Sequence, residues 1–367
     1  MRLKQLDAFP DRANNSRVMK ESPLNELHTQ LGAEMCNDSG WNMPKRFTNL
    51  VDEHLAARAS CGIFDVSHLS KFRVLGTRAA EWLEKVFSNS IEALNDGCTQ
   101  QTLMLNRQGV IIDKVTLAKE TDALFFIVGS ASQESTNDAW LRINLFPEGV
   151  QIINETDAWC ALSTQGPDSH LVFNRVFDGI EFPKLFTFER ITKVGKQIII
   201  SRSGAEADDG FELYCPARDG IYWFQRLMAS GAIPCGTEAR ECLRLERGKF
   251  YINKNNPAIT PDEAGMKSLC SPNKAYTGSV AVNTAADCLQ RLTPIRCMVE
   301  NAIPVPGDTI EDSKGNEIGL ITGAGKSPAL NHGIAVALLD TEFTRPGTEI
   351  FIRIAGNAIP AIVTDGD

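Results

Sequence analysis

The sequence lacks the features that would place it at a membrane or on a nucleic acid. No apolar run reaches the roughly 18 residues of a membrane-spanning helix, and residues 1–7 carry early charges without an apolar stretch behind them. Basic charge is scarce, with 37 Lys and Arg against 46 Asp and Glu and a formal net charge of -9. Nucleic acids and acidic membranes require a basic field, so neither is expected as a partner. A cytoplasmic location is expected.

Metal-binding and disulfide patterns are also missing. The 10 cysteines are scattered singly, with no C-x-x-C pair, so neither a zinc site nor a disulfide framework is predicted. The 5 histidines show no H-x-x-x-H or H-E-x-x-H spacing. No metal site is therefore expected, and most of the cysteines are expected to be small buried side chains.

The chain is long and apolar enough for a full core. Its 367 residues are 43% apolar and 23% charged, which predicts two or three domains. Residues 1–21 are polar and aperiodic, and a loose N-terminal extension is predicted there. Over residues 22–284, helical segments alternate irregularly with strands and hairpins, which favours an α+β fold over a doubly wound sheet. Over residues 285–367, short apolar strands joined by Gly and Pro turns predict a C-terminal β-barrel or sandwich.

A hairpin is predicted at residues 102–114, where two apolar runs flank a turn that starts at Asn106 and contains Gly109. The second run ends at Asp113, a single carboxylate after three aliphatic residues. This position has two interpretations. Asp113 is either an acid placed for chemistry or the polar end of a buried strand, and the local pattern alone favours the second interpretation.

Glu212 is a candidate binding residue on a predicted strand that follows an acidic turn. Because side chains alternate along a strand, Glu212 lies on the face opposite to Phe211 and Leu213. That face is either exposed to solvent or lines a pocket whose ligand donates N–H hydrogen bonds to the carboxylate.

Residues 237–249 predict a helix that carries Arg240, Arg244 and Arg247 on one stripe. The pattern alone favours a solvated face on which these arginines pair with Glu238 and Glu241. The alternative is a clamp for a carboxylate, because the guanidinium is a planar fork of donors.

Nine short motifs follow one another between residues 22 and 328. They are Ser22-Pro-Leu-Asn-Glu-Leu-His-Thr-Gln-Leu-Gly-Ala, Gly40-Trp-Asn-Met-Pro44, Asp52-Glu-His-Leu-Ala-Ala-Arg58, Gly62-Ile-Phe-Asp-Val-Ser-His68, Thr102-Leu-Met-Leu-Asn106, Gln165-Gly-Pro167, Asp209-Gly-Phe-Glu212, Leu243-Arg-Leu-Glu246 and the segment from Ile318-Gly to Ser327-Pro328. In this order they resemble the glycine cleavage system T protein, the aminomethyltransferase family. The resemblance extends to about residue 364.

The resemblance implies a three-lobed fold around a central tetrahydrofolate channel, with two intertwined lobes and a C-terminal β-barrel. It implies transfer of a methylene group to tetrahydrofolate from an aminomethyl group on the lipoyl arm of an H protein, with release of ammonia. Asp113 matches the essential acid beside the reacting folate nitrogens, Glu212 the carboxylate that holds the pterin, and Arg244 an arginine that serves the folate tail. The further folate contacts implied are Met104, Asn106 and Arg240.

Several positions depart from the family pattern. Gln101 and Ala205 stand where the family has Tyr, Ser130 where it has Asn, and Val110 where it has Gly, while an Asp-Asp pair becomes Asp113-Lys114. Residues 251–255 replace a further family segment. These changes leave two alternatives to the aminomethyltransferase. One is a tetrahydrofolate-dependent demethylase that acts on a small methyl donor, and the other is a non-catalytic folate-binding or regulatory protein.

Overall fold

The computed structural model describes residues 19–144, 148–202, 210–250 and 258–366. Within these ranges the helices are short, and none is long and apolar enough to cross a membrane. They are α1 (Asn25–Gln30), α2 (Leu50–Ala59), α3 (Ala79–Val86), α4 (Glu134–Ile143), α5 (Ser169–Val176), α6 (Gly220–Ala229), α7 (Thr237–Glu246) and α8 (Ser279–Thr284).

The strands of the first two sheets come from residues 20–235. A small sheet contains β1 (Lys20–Glu21), β2 (Glu34–Asp38) and β3 (Trp41–Arg46). The strands of the large sheet are β4 (Gly62–Asp65), β5 (Ser70–Leu75), β6 (Cys98–Leu105), β7 (Ile111–Thr121), β8 (Leu124–Gly129), β9 (Gln151–Asn154), β10 (Trp159–Gln165), β11 (Thr187–Lys193), β12 (Lys196–Arg202), β13 (Phe211–Pro216) and β14 (Ile233–Cys235). Their order across the sheet is β14-β4-β10-β13-β12-β11-β6-β7-β8-β5-β9.

The C-terminal strands close into a barrel in the order β15-β18-β17-β16-β19-β20. These strands are β15 (Gln290–Glu300), β16 (Thr309–Glu311), β17 (Glu317–Ser327), β18 (His332–Asp340), β19 (Glu349–Ile354) and β20 (Asn357–Val363). Together with the mixed helices and sheets before it, the barrel confirms the predicted α+β class. The barrel packs against α7. A Cβ added to Gly325 of β17 would lie 3.1 Å from Cδ1 of Leu245 on α7.

The large sheet folds back on itself. Phe126 on β8 lies with its ring centroid 5.6 Å from that of Trp159 on β10 and 5.6 Å from that of Tyr214 on β13. These strands are far apart in the strand order, so β7 and β8 face β10 and β13 across a narrow interior. The three aromatic rings pack together in that interior.

The hairpin predicted at residues 102–114 is formed by β6 and β7. Met104 pairs with Asp113 across the two strands. The side-chain Oδ1 of Asn106 accepts the backbone N–H groups of Gln108 at 3.0 Å and Val110 at 2.9 Å, and Gly109 has a φ of 76°. Asn and Gly thus stabilise the turn in the way their residue types predict.

The predicted N-terminal extension of residues 1–21 is wrong at its last two residues. Lys20 and Glu21 form a short strand that pairs in parallel with Trp41 and Asn42. The backbone amide of Lys20 also donates to the carbonyl of Gly40 at 3.0 Å. Pairing with a distant strand decides the local structure here, which composition alone does not reveal. Residues 1–18 lie outside the described residues.

Candidate active site

Two adjoining cavities lie where the folded sheet, α7 and the barrel meet. The inner cavity has a volume of ≈ 90 Å³ and lies between β7–β8 and β10–β13. The outer cavity has a volume of ≈ 550 Å³ and extends between β2, α7 and the barrel strand β17. The residues that line both are Leu69, Ser130, Arg240, Arg244 and Phe250. The outer volume falls in the range of about 300–1,000 Å³ that is usual for small-molecule sites.

Glu212 lies in the wall of the inner cavity. Its neighbours on β13, Phe211 and Leu213, are buried in the core, and Glu212 itself is half-buried. It pairs with Ser163 of β10 and Ser201 of β12. The alternation predicted from the sequence is thus confirmed, and it places the carboxylate where a ligand can meet it.

Arg240 and Arg244 lie one turn apart on α7 and line both cavities. The Nε of Arg244 donates to Oε2 of Glu241 at 2.7 Å, and its Nη1 donates to the carbonyl of Lys249. Arg244 therefore both pairs with Glu241 and lines the two cavities. Arg240 is buried, so its charge lies in the interior rather than on a solvated face.

Asp113 is buried, and it is not among the described residues that line either cavity. Its Oδ1 accepts from the backbone N–H of Lys114 at 2.9 Å and from Oγ of Ser130 at 2.7 Å. Its Oδ2 accepts from the backbone N–H of Ser130 at 2.9 Å and from Nδ2 of Asn137 at 2.6 Å. Burial raises the pKa of Asp113, although the bonds from Asn137 and Ser130 act in the opposite direction. The carboxylate therefore lies behind the cavity wall, fully hydrogen-bonded.

The wall in front of Asp113 is formed by the end of β8. A Cβ on Gly129 would come within 2.7 Å of Oδ2 of Asp113, 2.8 Å of Nδ2 of Asn137 and 2.9 Å of Oγ of Ser70. Only glycine allows the backbone to approach the carboxylate this closely. Ser130 follows directly and lines both cavities, so Asp113 fixes the position of a residue that a ligand can contact.

Two predicted folate contacts do not reach the cavities. Met104 is fully buried in the core beside α3 and α4, and the side chain of Asn106 is occupied by the hairpin turn. Neither is among the described residues that line the inner or the outer cavity. Ala205 and residues 251–255 lie outside the described residues, as does the acidic turn before Glu212.

Several lining residues were missed at the level of sequence, among them Thr116 of β7 in the inner cavity and His68 in the outer one. Lys114, already identified as a departure from the family pattern, also projects from β7 into the inner cavity. The signal for β7 was present, because apolar Val115 and Leu117 alternate with polar Lys114 and Thr116. No such signal was present for His68, which lies between β4 and β5 and contacts Asp38 of the small sheet, with 3.5 Å between Nε2 of His68 and Oδ2 of Asp38.

One group among the described residues brings three metal-ligating side chains together: His54, Cys242 and Glu246. Glu246 already accepts hydrogen bonds from Nε2 of His54 at 2.8 Å and Nε of Arg58 at 3.1 Å, and from Oγ of Ser327 on the barrel at 2.5 Å. These bonds hold the pKa of Glu246 at about 2, although burial alone raises that pKa. A guanidinium at this distance repels a cation, so the group is an ion-pair network that joins α2, α7 and the barrel.

The fold and the site define a class of protein: an α+β chain with a C-terminal barrel, enclosing a cavity with a carboxylate on one wall and arginines on another. The family model for the GCVT N-terminal domain matches residues 24–274, and that for the glycine cleavage T-protein C-terminal barrel domain matches residues 291–366. The chain belongs to the glycine cleavage T-protein family.

Similar proteins match along nearly their whole length. An aminomethyltransferase of Geobacillus sp. (strain WCH70) is 30% identical over 357 residues, covering 94% of this chain and 97% of the relative. One of Halothermothrix orenii is 32% identical over 349 residues, covering 93% and 97%. The crystal structure of glycine cleavage system aminomethyltransferase T from Bartonella henselae superposes with a TM-score of 0.87 at 26% identity, covering 94% of this chain and 97% of that one. Sequence and fold thus agree on the family.

Proposed function

We propose that this protein is a tetrahydrofolate-dependent aminomethyltransferase of the glycine cleavage type. The observation that carries the proposal is the match of both family domains, joined to a cavity in which Glu212, Arg240 and Arg244 converge. The partner that delivers the one-carbon unit is proposed to be a lipoylated H protein. The demethylase and the non-catalytic alternatives gain no support from the similar proteins.

The donor set of the cavity fits tetrahydrofolate. A carboxylate such as Glu212 accepts the N–H groups of a pterin edge, and guanidinium groups bind the carboxylates of a glutamyl tail. When bound, tetrahydrofolate supplies the two nitrogens that take up the methylene carbon. Their two protons leave with the sulfur and the nitrogen of the donor, as thiol and ammonia.

The chain's own residues act by holding the reactants. Glu212 orients the pterin, and Arg240 and Arg244 hold the anionic tail. The role proposed for Asp113 is indirect: it fixes Ser130 in the cavity wall through two hydrogen bonds. The aromatic contacts of Phe126 with Trp159 and Tyr214 pack the interior between the two halves of the sheet.

The proposal is tested with the full chain, lipoylated H protein that carries an aminomethyl group, and tetrahydrofolate. Formation of methylenetetrahydrofolate and equimolar ammonia is the expected result. Calorimetric titration with tetrahydrofolate provides a second readout. A chain that binds no tetrahydrofolate and releases no ammonia would exclude the proposed function.

A further inference from the structure

The charges around the inner cavity are unlike those of the chain as a whole. Among its described lining residues, Glu212 is the one carboxylate, whereas Lys114, Arg240, Arg244 and Lys249 are cations. The whole chain has a formal net charge of -9. Positive charge is therefore concentrated at this cavity, although the chain as a whole is acidic. This local charge favours anionic groups of a ligand and disfavours cationic ones.

The strand β7 contributes one of these cations, Lys114, which follows Asp113 directly in the sequence. Successive side chains on a strand point to opposite faces, so Asp113 and Lys114 point in opposite directions. Lys114 and Thr116 line the inner cavity, while Asp113 is bound by Ser130 and by Asn137 of α4. The charged group that β7 presents to a ligand is thus an ammonium and not a carboxylate.

The two groups have opposite hydrogen-bonding capacities. An ammonium has three donors and no acceptor, whereas a carboxylate has only acceptors. A reactant atom beside Lys114 must therefore offer a lone pair, as a carbonyl, a carboxylate or an unprotonated amine does. A protonated amine there would meet a like charge, and the two charges would repel each other.

We propose that Lys114 is the β7 side chain that contacts the bound reactants, and that it makes the cavity select a reactant presenting a lone pair over one presenting an ammonium. This inference rests on the proposed function, because that function supplies the identity of the reactants. Lys114 acts as a specificity determinant: the aminomethyl nitrogen must arrive unprotonated.

Contact is tested by acetylating the full chain with acetic anhydride, with and without saturating tetrahydrofolate, and quantifying each modified lysine by mass spectrometry. Lys114 is expected to be protected at least fivefold by tetrahydrofolate. Lys267 has a side chain that is 60% exposed and does not line either cavity, so its labelling should be unchanged. Equal labelling of Lys114 in both states, in a chain that binds tetrahydrofolate, overturns the inference alone. Absence of tetrahydrofolate binding overturns the proposed function and this inference with it.

Selection is tested with Lys114→Asp and Lys114→Met, and with Lys267→Met as the matched control. At neutral pH, methylene transfer from the protonated aminomethyl donor should rise at least tenfold in Lys114→Asp and by less in Lys114→Met. Transfer is compared at saturating tetrahydrofolate, and calorimetric titration of each variant separates a change in transfer from a change in folate binding. Loss of transfer in both variants with folate binding intact would show that Lys114 is required rather than selective, and equal rates in all four proteins would show that it does not select.

Discussion

Ser130 holds the carboxylate of Asp113 at two points, through its backbone N–H at 2.9 Å and its hydroxyl at 2.7 Å. The two residues lie on opposite sides of the cavity wall. Asp113 is buried in the core, and Ser130 lines both cavities. A change in the core acid should therefore displace a residue that lines both cavities.

Asp113→Asn should cost stability as well as activity. Four donors meet the two carboxylate oxygens, and an amide keeps only one acceptor oxygen, so buried donors lose their partner. We expect the free energy of unfolding to fall by about 1–3 kcal/mol, measured by urea denaturation. Ser130→Ala removes a single hydroxyl and should cost only about 1 kcal/mol. An Asp113→Asn variant as stable as the unsubstituted chain would contradict the hydrogen-bond network.

Gly129→Ala should displace the same carboxylate by steric contact. The new methyl group would lie 2.7 Å from Oδ2 of Asp113 and 2.8 Å from Nδ2 of Asn137, so something must shift. Overpacking of this kind costs about 1–3 kcal/mol, which a thermal melt detects. Gly323→Ala is the matched control, because its nearest neighbour atom would be at 3.6 Å. Equal melting temperatures for the two variants would argue against the close approach.

Glu246 should make the attachment of the barrel dependent on pH. The pKa of Glu246 in the folded protein is about 2, below its ordinary value of 4.5. Because the folded pKa is lowered, the stabilisation is complete above pH 4.5 and is lost as the pH falls towards 2. We expect Glu246→Gln to cost about 3 kcal/mol at neutral pH, with a smaller difference near pH 3. Glu317→Gln, at an exposed barrel position, should leave the free energy of unfolding unchanged both at neutral pH and near pH 3. A loss of unfolding free energy in Glu246→Gln that is the same at both pH values would contradict the lowered pKa of Glu246.

Glu212→Gln should weaken tetrahydrofolate binding without affecting the fold. The substitution keeps the shape but replaces one acceptor oxygen by a donor and removes the charge. A hydrogen bond to a charged group contributes about 1.5–3 kcal/mol, so the dissociation constant should rise by roughly one to two orders of magnitude. Calorimetry measures the affinity and a thermal melt controls for folding. Glu189→Gln, at an exposed position on β11, is the control. Unchanged affinity in Glu212→Gln would exclude a pterin contact.

The features that depend on neighbours in the sequence were predictable. The turn at Asn106 and Gly109 and the alternation at Glu212 each follow from residue type and spacing within about ten residues. The barrel was predictable as a series of short apolar strands. The order of nine motifs then supplied the family and the three-lobed fold.

The features that depend on distant neighbours were not predictable from local patterns. The sequence placed Asp113 at the end of a strand, whereas β7 continues to Thr121. It also did not show which of Asp113 and Lys114 faces the inner cavity, because that depends on how β7 packs against α4 and β8. Met104 belongs to the same segment and is buried among side chains of α3 and α4. The pairing of Lys20 with Trp41 and of His68 with Asp38 also joins segments that are far apart in the chain.

The most direct test of the central claim is a stoichiometric assay of methylene transfer. The full chain is mixed with aminomethyl-loaded lipoylated H protein and tetrahydrofolate, and methylenetetrahydrofolate and ammonia are measured over time. Both products should form in equal amounts, and Glu212→Gln should reduce their rate of formation at subsaturating tetrahydrofolate. Absence of both products, in a chain that is folded and supplied with loaded H protein, would contradict it.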